Sequence, residues 1–233
     1  MRKGFGPLDY VYNPLDYAWE IHRRFVERYG GGSHRPVILV GMNPGPWGMG
    51  QTGVPFGDPT VVRDWLGLGG EVSEPRNPCP GRPVLGLASR RREESGTTLY
   101  GWARERFGTA GRFFSRFWIV NYCPLLMFDR TGKNVTPSDF RKGSSELQQL
   151  LAVCDRHLLA VIRHFQPSWV IGIGQFAEGR ASAAVAAAEC LATTGCIIHP
   201  SPQTRGHWGT EGWGGLADAK LRQLGVSVTI TGS

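Results

Sequence analysis

The chain has 233 residues, 26 of them Lys or Arg against 19 Asp or Glu, which gives a formal charge of +7 and a sequence pI near 9.5. Hydrophobic residues make up 41% and aromatics 11%, enough for a buried core, so a disordered tail and a fibrous repeat are excluded and one domain over residues 1–233 is expected. No stretch approaches the roughly 18 apolar residues of a membrane span, and no apolar run follows Arg2 and Lys3, so neither a span nor a signal peptide is expected and the chain reads as cytoplasmic.

In chain order, residues 15–29 carry Leu15, Trp19, His22, Phe25, Val26 and Tyr29 at helical spacing, and Gly30, Gly31 and Gly32 stop that helix. Residues 36–40 form a short buried strand ending at Gly41. Residues 47–97 are rich in Gly, Pro and Arg, with a helical turn over 61–66, and so long an excursion is where function concentrates. A helix over 97–107 and a strand over 117–120 follow, the strand ending at Asn121. Residues 144–165 are the clearest helix, with Ser144 or Ser145 as its cap and Leu147, Leu151, Cys154, Leu158 and Ile162 on one face. His157 and His164 lie beside that stripe and read as packing or solvated side chains. A strand over 169–173, an Ala-rich helix to about residue 192, a strand over 195–198 ending at His199 and a helix over 215–224 lead to residues 226–230. This alternation predicts an α/β three-layer sandwich, a largely parallel four-stranded sheet flanked by helices. Ligands bind beyond the carboxyl ends of such strands, which puts Asn43, Asn121 and His199 on one rim.

Several chemistries fall away. The five cysteines are odd in number and contain no C-x-x-C, so they read as reduced thiols rather than a disulfide framework or a zinc site. Cys196 and His199 stand three apart in a predicted strand and so point to opposite faces. Gly172-Ile-Gly174-Gln-Phe-Ala177 has the outline of a dinucleotide fingerprint, but it follows the third strand and no acidic residue stands about twenty positions on, so it reads as close strand–helix packing. The H-x-E and P-C-x-x-C elements of zinc deaminases, the G-x-S-x-G elbow and the Walker A loop are all missing.

Two segments of unusual wording remain. Gly41-Met-Asn-Pro-Gly-Pro-Trp-Gly-Met-Gly-Gln-Thr-Gly-Val-Pro-Phe-Gly57 follows the first strand, and His199-Pro-Ser-Pro202 follows the fourth. With Val61-Val-Arg-Asp-Trp-Leu-Gly67, Arg82-Pro-Val-Leu-Gly86, Asn121-Tyr-Cys-Pro-Leu-Leu126 and Asn134-Val-Thr-Pro137, the chain strongly resembles the single-strand-selective monofunctional uracil-DNA glycosylases, a branch of the uracil-DNA glycosylase superfamily. The resemblance implies removal of uracil and of oxidised uracils such as 5-hydroxymethyluracil from DNA, leaving an abasic site. His199 would be the donor to uracil O2, and Asn43, where other branches carry Asp, would orient the attacking water through its carbonyl oxygen. Asn121 would read the uracil edge, and Phe56 would be the ring on which the extruded base stacks. Gly45 stands where the classical uracil enzymes carry a bulky aromatic, so it is expected to leave room at the base's 5-position, with Met42 and Met49 beside it.

The loop after His199 would hold the duplex open. The family often has Arg directly after the second proline; here Gln203 stands there, and Arg205, His207 or Trp208 is left to supply the wedge. Pro200, Ser201, Pro202, Gln203, Thr204, Arg205 and His207 are the expected DNA contacts of that loop, and Ser95, as a helix N-cap, is expected to present amides to a phosphate. Residues 76–116 hold nine basic against three acidic residues, mostly Arg interleaved with aromatics, and are expected to grip backbone. Iron–sulfur branches place cysteines before the first motif, and none precedes Asn43, so neither cluster, metal nor other cofactor is expected. No Lys lies in either motif to form a Schiff base, which fits hydrolysis alone. The expected partner is DNA, single- or double-stranded, and the expected state a monomer. A glycosylase for deaminated purines and a DNA-binding protein without turnover are the competing readings.

Overall fold

The structure, a computed structural model, describes residues 8–228. In chain order it runs β1 (Tyr10–Tyr12), α1 (Pro14–Tyr17), α2 (Trp19–Tyr29), β2 (Val37–Gly41), α3 (Met49–Thr52), α4 (Pro59–Asp64), α5 (Glu94–Phe107), α6 (Ala110–Phe114), β3 (Phe117–Asn121), β4 (Leu126–Phe128), β5 (Asn134–Val135), α7 (Ser145–Phe165), β6 (Trp169–Ile173), α8 (Gln175–Ala187), β7 (Thr193–Ile197) and α9 (Gly212–Gln223). Four of these strands form the expected parallel sheet, in the order β3-β2-β6-β7, with helices flanking it. All five residues of β2 and of β3 are buried, as parallel strands covered on both faces require. Register places Gly41 opposite Asn121, so the first motif and the uracil-edge candidate leave the sheet side by side.

Local chemistry moves several boundaries. The helix expected over 15–29 is two helices: Asn13 caps α1 by accepting from the Leu15 amide, and Ala18, fully buried at φ −110 and ψ 26, separates it from α2. The Ala-rich helix stops at Ala187 because Glu189 takes a positive φ of 53. Strand β7 starts at Thr193 and ends at Ile197, so His199 stands two residues past it, in the loop. The final helix starts three residues early, at Gly212, and residues 226–228 form no strand, while the rest of 226–230 lies outside the described residues. A small antiparallel sheet, β1-β4-β5, has strands of two or three residues, too short for any alternation to register. Gly172 bears out the packing reading of G-x-G-x-x-A, because a Cβ there would come within 2.1 Å of the Glu178 amide nitrogen.

Asp218 ties α9 to α5 from inside the protein. It is 3% exposed, and its carboxylate accepts from the Trp102 indole at 2.7 Å and from Arg106 Nε at 2.8 Å. Asp218→Ala is expected to cost about 2–3 kcal/mol, since it strands a buried indole N–H and a partly buried guanidinium. Thermal unfolding should then fall by roughly 4–12 °C; an unchanged midpoint would rule out this tie as a determinant of stability.

Candidate active site

The carboxyl ends of β2 and β3 and the loop after β7 open into a cavity of about 440 Å³ lined by Met42, Asn43, Gly45, Met49, Phe56, Asn121 and His199. A larger recess of about 650 Å³ lies at the opposite end of β6 and β7, beside Trp169 and Thr193. What separates the two is their polar chemistry. Among the described residues, five buried side-chain polar atoms have no hydrogen-bond partner, and three of them, Asn121 Oδ1, Asn134 Oδ1 and His199 Nδ1, belong to residues of the first cavity. None belongs to the second. Buried polar groups left unpaired cost free energy, so three around one cavity mark a surface built to meet a polar ligand.

Backbone crowding fixes the walls. A Cβ on Gly41 would lie 2.4 Å from Asn121 Oδ1 and 2.7 Å from Phe56 Cε2, so only glycine at that strand end lets both side chains into the cavity. Asn121 is 3% exposed and its Nδ2 donates to Met49 Sδ at 3.2 Å, which leaves Oδ1 as its free acceptor. Phe56 is held at φ 56, a left-handed backbone rare for a bulky side chain. Its carbonyl presses against Gly96, where a Cβ would meet it at 1.9 Å, and Tyr100 Oη donates to the neighbouring Pro55 carbonyl at 2.9 Å. The Phe56 and His199 rings sit 6.1 Å apart at an interplanar angle of 42°. The cavity thus offers one aromatic face with Asn121 and His199 about it.

His199 is positioned through its main chain. Trp213 Nε1 donates to the Ile198 carbonyl at 2.7 Å, and Thr204 Oγ1 lies at 2.5 Å from the His199 carbonyl and 2.9 Å from that of Ser201. Burial holds the His199 imidazole below its ordinary pKa of 6.5, so the ring is neutral at pH 7. Asn43 Nδ2 donates to the Pro44 carbonyl at 3.2 Å, which leaves the other end of the amide, Oδ1, with acceptor capacity.

Gly45 corrects an expectation. The room left by its missing side chain is taken by Glu93, whose Oε2 would lie 2.3 Å from a Cβ on Gly45 and whose Cγ would lie 2.7 Å from one on Gly48. Glu93 lines the cavity, and burial, with Asp58 as the next cause, pushes its carboxyl up to about 7 against the opposing pull of the Trp47 and Ser95 amides. Sequence reading counts Glu93 only as a charge. The Gly45-x-x-Gly48 spacing is the one visible signal, and it shows no partner until the chain is folded. Ser95 is not the cap of α5: Glu93 holds the extended N-cap position, the helix begins at Glu94 rather than Thr97, and Ser95, buried, faces the same cavity.

Comparison with known proteins decides the family. The model of the uracil DNA glycosylase superfamily matches residues 28–213. Proteins named single-strand selective monofunctional uracil-DNA glycosylase match nearly the whole chain: that of Rattus norvegicus is 42% identical over 225 residues, 97% of this chain and 79% of its own. That of Bos taurus is 42% identical over 95% of this chain and 79% of its own. The chain belongs to this family of glycosylases. A crystal structure of wild-type Pedobacter heparinus SMUG2 shares the fold, with a TM-score of 0.65 at 19% identity over 97% of this chain and 91% of that one.

The loop after His199 of this glycosylase coils as a 3-10 turn over Pro202–His207. Ser201 and Gln203 line the cavity mouth, while Pro202, Arg205 and His207 are exposed and Pro200 is buried beneath. Two expectations for this loop change. Thr204 is committed inside the protein, since its hydroxyl meets two carbonyls and accepts from Trp208 Nε1 at 3.0 Å. Trp208 is anchored by that same bond and half-buried, so it is no free wedge. Arg205 reaches back to Glu94 at 2.6 Å with its guanidinium 5.9 Å from the Trp208 ring.

The basic segment 76–116 divides in the same way. Arg106 serves Asp218, Arg92 serves the fully buried Asp58 at 3.1 Å, and Arg82 Nε donates to the Gly132 carbonyl at 2.7 Å, so these cations hold the fold. Arg91 differs: it is exposed and lies 4.3 Å over the ring of Trp47, next to the cavity-lining Pro46. That cation–aromatic pair beside the mouth suits a nucleic-acid backbone and base.

Proposed function

We propose that the glycosylase hydrolyses the N-glycosidic bond of uracil and of 5-substituted, oxidised uracils such as 5-hydroxymethyluracil in DNA, leaving an abasic site. The observation that carries this reading is the unpaired Asn121 Oδ1 and His199 Nδ1 buried around the Phe56 ring. A flipped uracil laid on Phe56 gains about 1–3 kcal/mol from stacking. Asn121 Oδ1 accepts from uracil N3–H while its amide nitrogen faces O4, a pairing that the bare N3 and N4 amine of cytosine invert. His199 donates to O2 as negative charge grows on the departing base. The water held by Asn43 Oδ1 forms the new bond to C1′ and releases its proton to solvent, while the C1′–N1 electron pair leaves with the uracil anion, which takes up a proton from solvent in turn. No step needs a metal or a Schiff base.

Single-turnover cleavage of matched oligonucleotides carrying uracil, 5-hydroxymethyluracil, thymine, xanthine or hypoxanthine, with chelator present, tests this reading. Rapid release of the first two with thymine intact is expected. Release of the purines alone would overturn the base assignment, and release of none would leave a DNA-binding protein without turnover. Arg205 is proposed as the wedge, because it is the exposed long cation of the loop and its tie to Glu94 is a surface pair worth little against DNA. Arg205→Ala is expected to slow cleavage of duplex about tenfold while single strands lose less than threefold; equal losses on both would mean phosphate contact instead.

A further inference from the structure

Glu93 is a carboxyl in the wall of the cavity that Asn43, Asn121 and His199 line. Its oxygens occupy the volume that a side chain on residue 45 would fill, and its Cγ fills that of residue 48, so the two glycines form the cradle in which it lies. The cradle's position relative to a bound base follows from contacts around Asn121. Asn121 Nδ2, the group that faces O4, bonds Met49 Sδ; Met49 begins α3 directly after Gly48; and the Gly50 amide returns to the Gly45 carbonyl at 3.0 Å. The wall continuing from the O4 side of the base is therefore Met49, Gly45 and Glu93. Around a uracil ring the atom next after C4 is C5, on the side away from O2 and His199.

We infer that Glu93 is a specificity-determining residue that accepts a hydrogen bond from a hydroxyl carried on the 5-substituent of the base. The inference rests on the reading of the cavity as a uracil site with Asn121 at O4. A carboxyl oxygen accepts an O–H in either protonation state, whereas a methyl of the same reach offers nothing in return and would leave the carboxyl desolvated. Unsubstituted uracil leaves the contact unmade. Glu93 therefore separates 5-hydroxymethyluracil from thymine by chemistry, where the glycine alone separates substituents only by size. Its own amide is tied to Asp58 Oδ2 at 2.9 Å, and its side chain is packed against Gly45 and Gly48, so the group is held in place before a base arrives.

The experiment is a comparison of single-turnover rates on duplexes carrying 5-hydroxymethyluracil and uracil, for the native chain, Glu93→Ala, Glu93→Gln and Gly45→Ala, with thermal midpoints measured alongside. The quantity read is the ratio of the two rates, which cancels any loss common to both bases. Glu93→Ala should lower that ratio about tenfold or more, and Glu93→Gln, which keeps a neutral acceptor, by less. Gly45→Ala should lower it as well without altering the carboxyl chemically, because the new Cβ displaces Oε2. An unchanged ratio in the folded variants, whatever the absolute rates, would overturn the inference and leave Glu93 as a clamp on the 45–48 loop. A native chain that releases uracil but not 5-hydroxymethyluracil would overturn it too, while the uracil reading stands. Release of neither base would instead overturn that reading itself.

Discussion

His199→Ala is expected to slow single-turnover release of uracil by about 10²–10³, the usual consequence of removing one preorganised donor from a developing oxyanion. The size of the effect follows from how little else in the cavity could take over. Asn121 is engaged at the other edge, and the Phe56 face has no donor. The substitution removes a ring whose Nδ1 has no partner and leaves in place the main-chain ties of Trp213 and Thr204, so the loop should keep its course. DNA affinity should change by less than threefold, and retained full activity would reject the O2-donor assignment. Burial lowers the imidazole pKa from 6.5, so the neutral form persists below pH 6.5 and the native rate should stay level down through that value before it changes. The same sign governs stability. His22, His157 and His199 are all pushed below 6.5 by burial, so as pH falls through 6.5 the unfolded chain binds protons that the folded chain refuses. These histidines therefore lower the thermal midpoint as pH falls below 6.5. Glu93, raised to about 7 in the folded chain, pulls the other way, because only the folded chain holds its proton between about pH 4.5 and 7. In Glu93→Gln, which removes that opposing group, the midpoint should decline below about pH 6.5.

Strands β2, β3 and β6 of the parallel sheet are legible in the sequence because they are apolar runs almost wholly buried, whereas β7, Thr193-Thr-Gly-Cys-Ile197, is partly exposed and shows only its apolar end; the rim residues follow from where those runs end. Asn43, Asn121 and His199 are found on that ground alone, as polar residues at or just past the ends of three different strands. Phe56 comes from the resemblance, and its strained backbone is invisible without coordinates. Glu93 is illegible for a different reason. Its chemistry depends on two glycines some 45 positions earlier, and nothing in the segment 90–95 distinguishes it from its neighbour Glu94, which is exposed and paired to Arg205. The same limit applies to the arginines of 76–116. Composition shows a basic segment, but only the fold reveals that Arg92 and Arg106 spend their charge on the buried Asp58 and Asp218.

Asn43→Ala is expected to slow uracil release by about 10²-fold or more, because misplacing a reacting water by about an ångström has that cost. A single truncation confounds two things: the nitrogen's bond to the Pro44 carbonyl, which fixes the side chain, and the proposed acceptance of the water by the oxygen. Asn43→Asp separates them. A carboxylate keeps the acceptor and adds basicity, yet it loses the donor and sets an oxygen against the Pro44 carbonyl, so the side chain must turn. If acceptance of the water is what matters, Asn43→Asp should be at least tenfold faster than Asn43→Ala, with a new dependence on pH in the carboxylate range. If the two variants are equally slow, the Pro44 contact governs the geometry and the water is placed by the main chain of residues 42–45. Wild-type rates for Asn43→Ala would remove this residue from the chemistry altogether. Binding of uracil-containing DNA should survive in both variants, since Phe56, Asn121 and His199, the residues proposed to hold the base, are untouched.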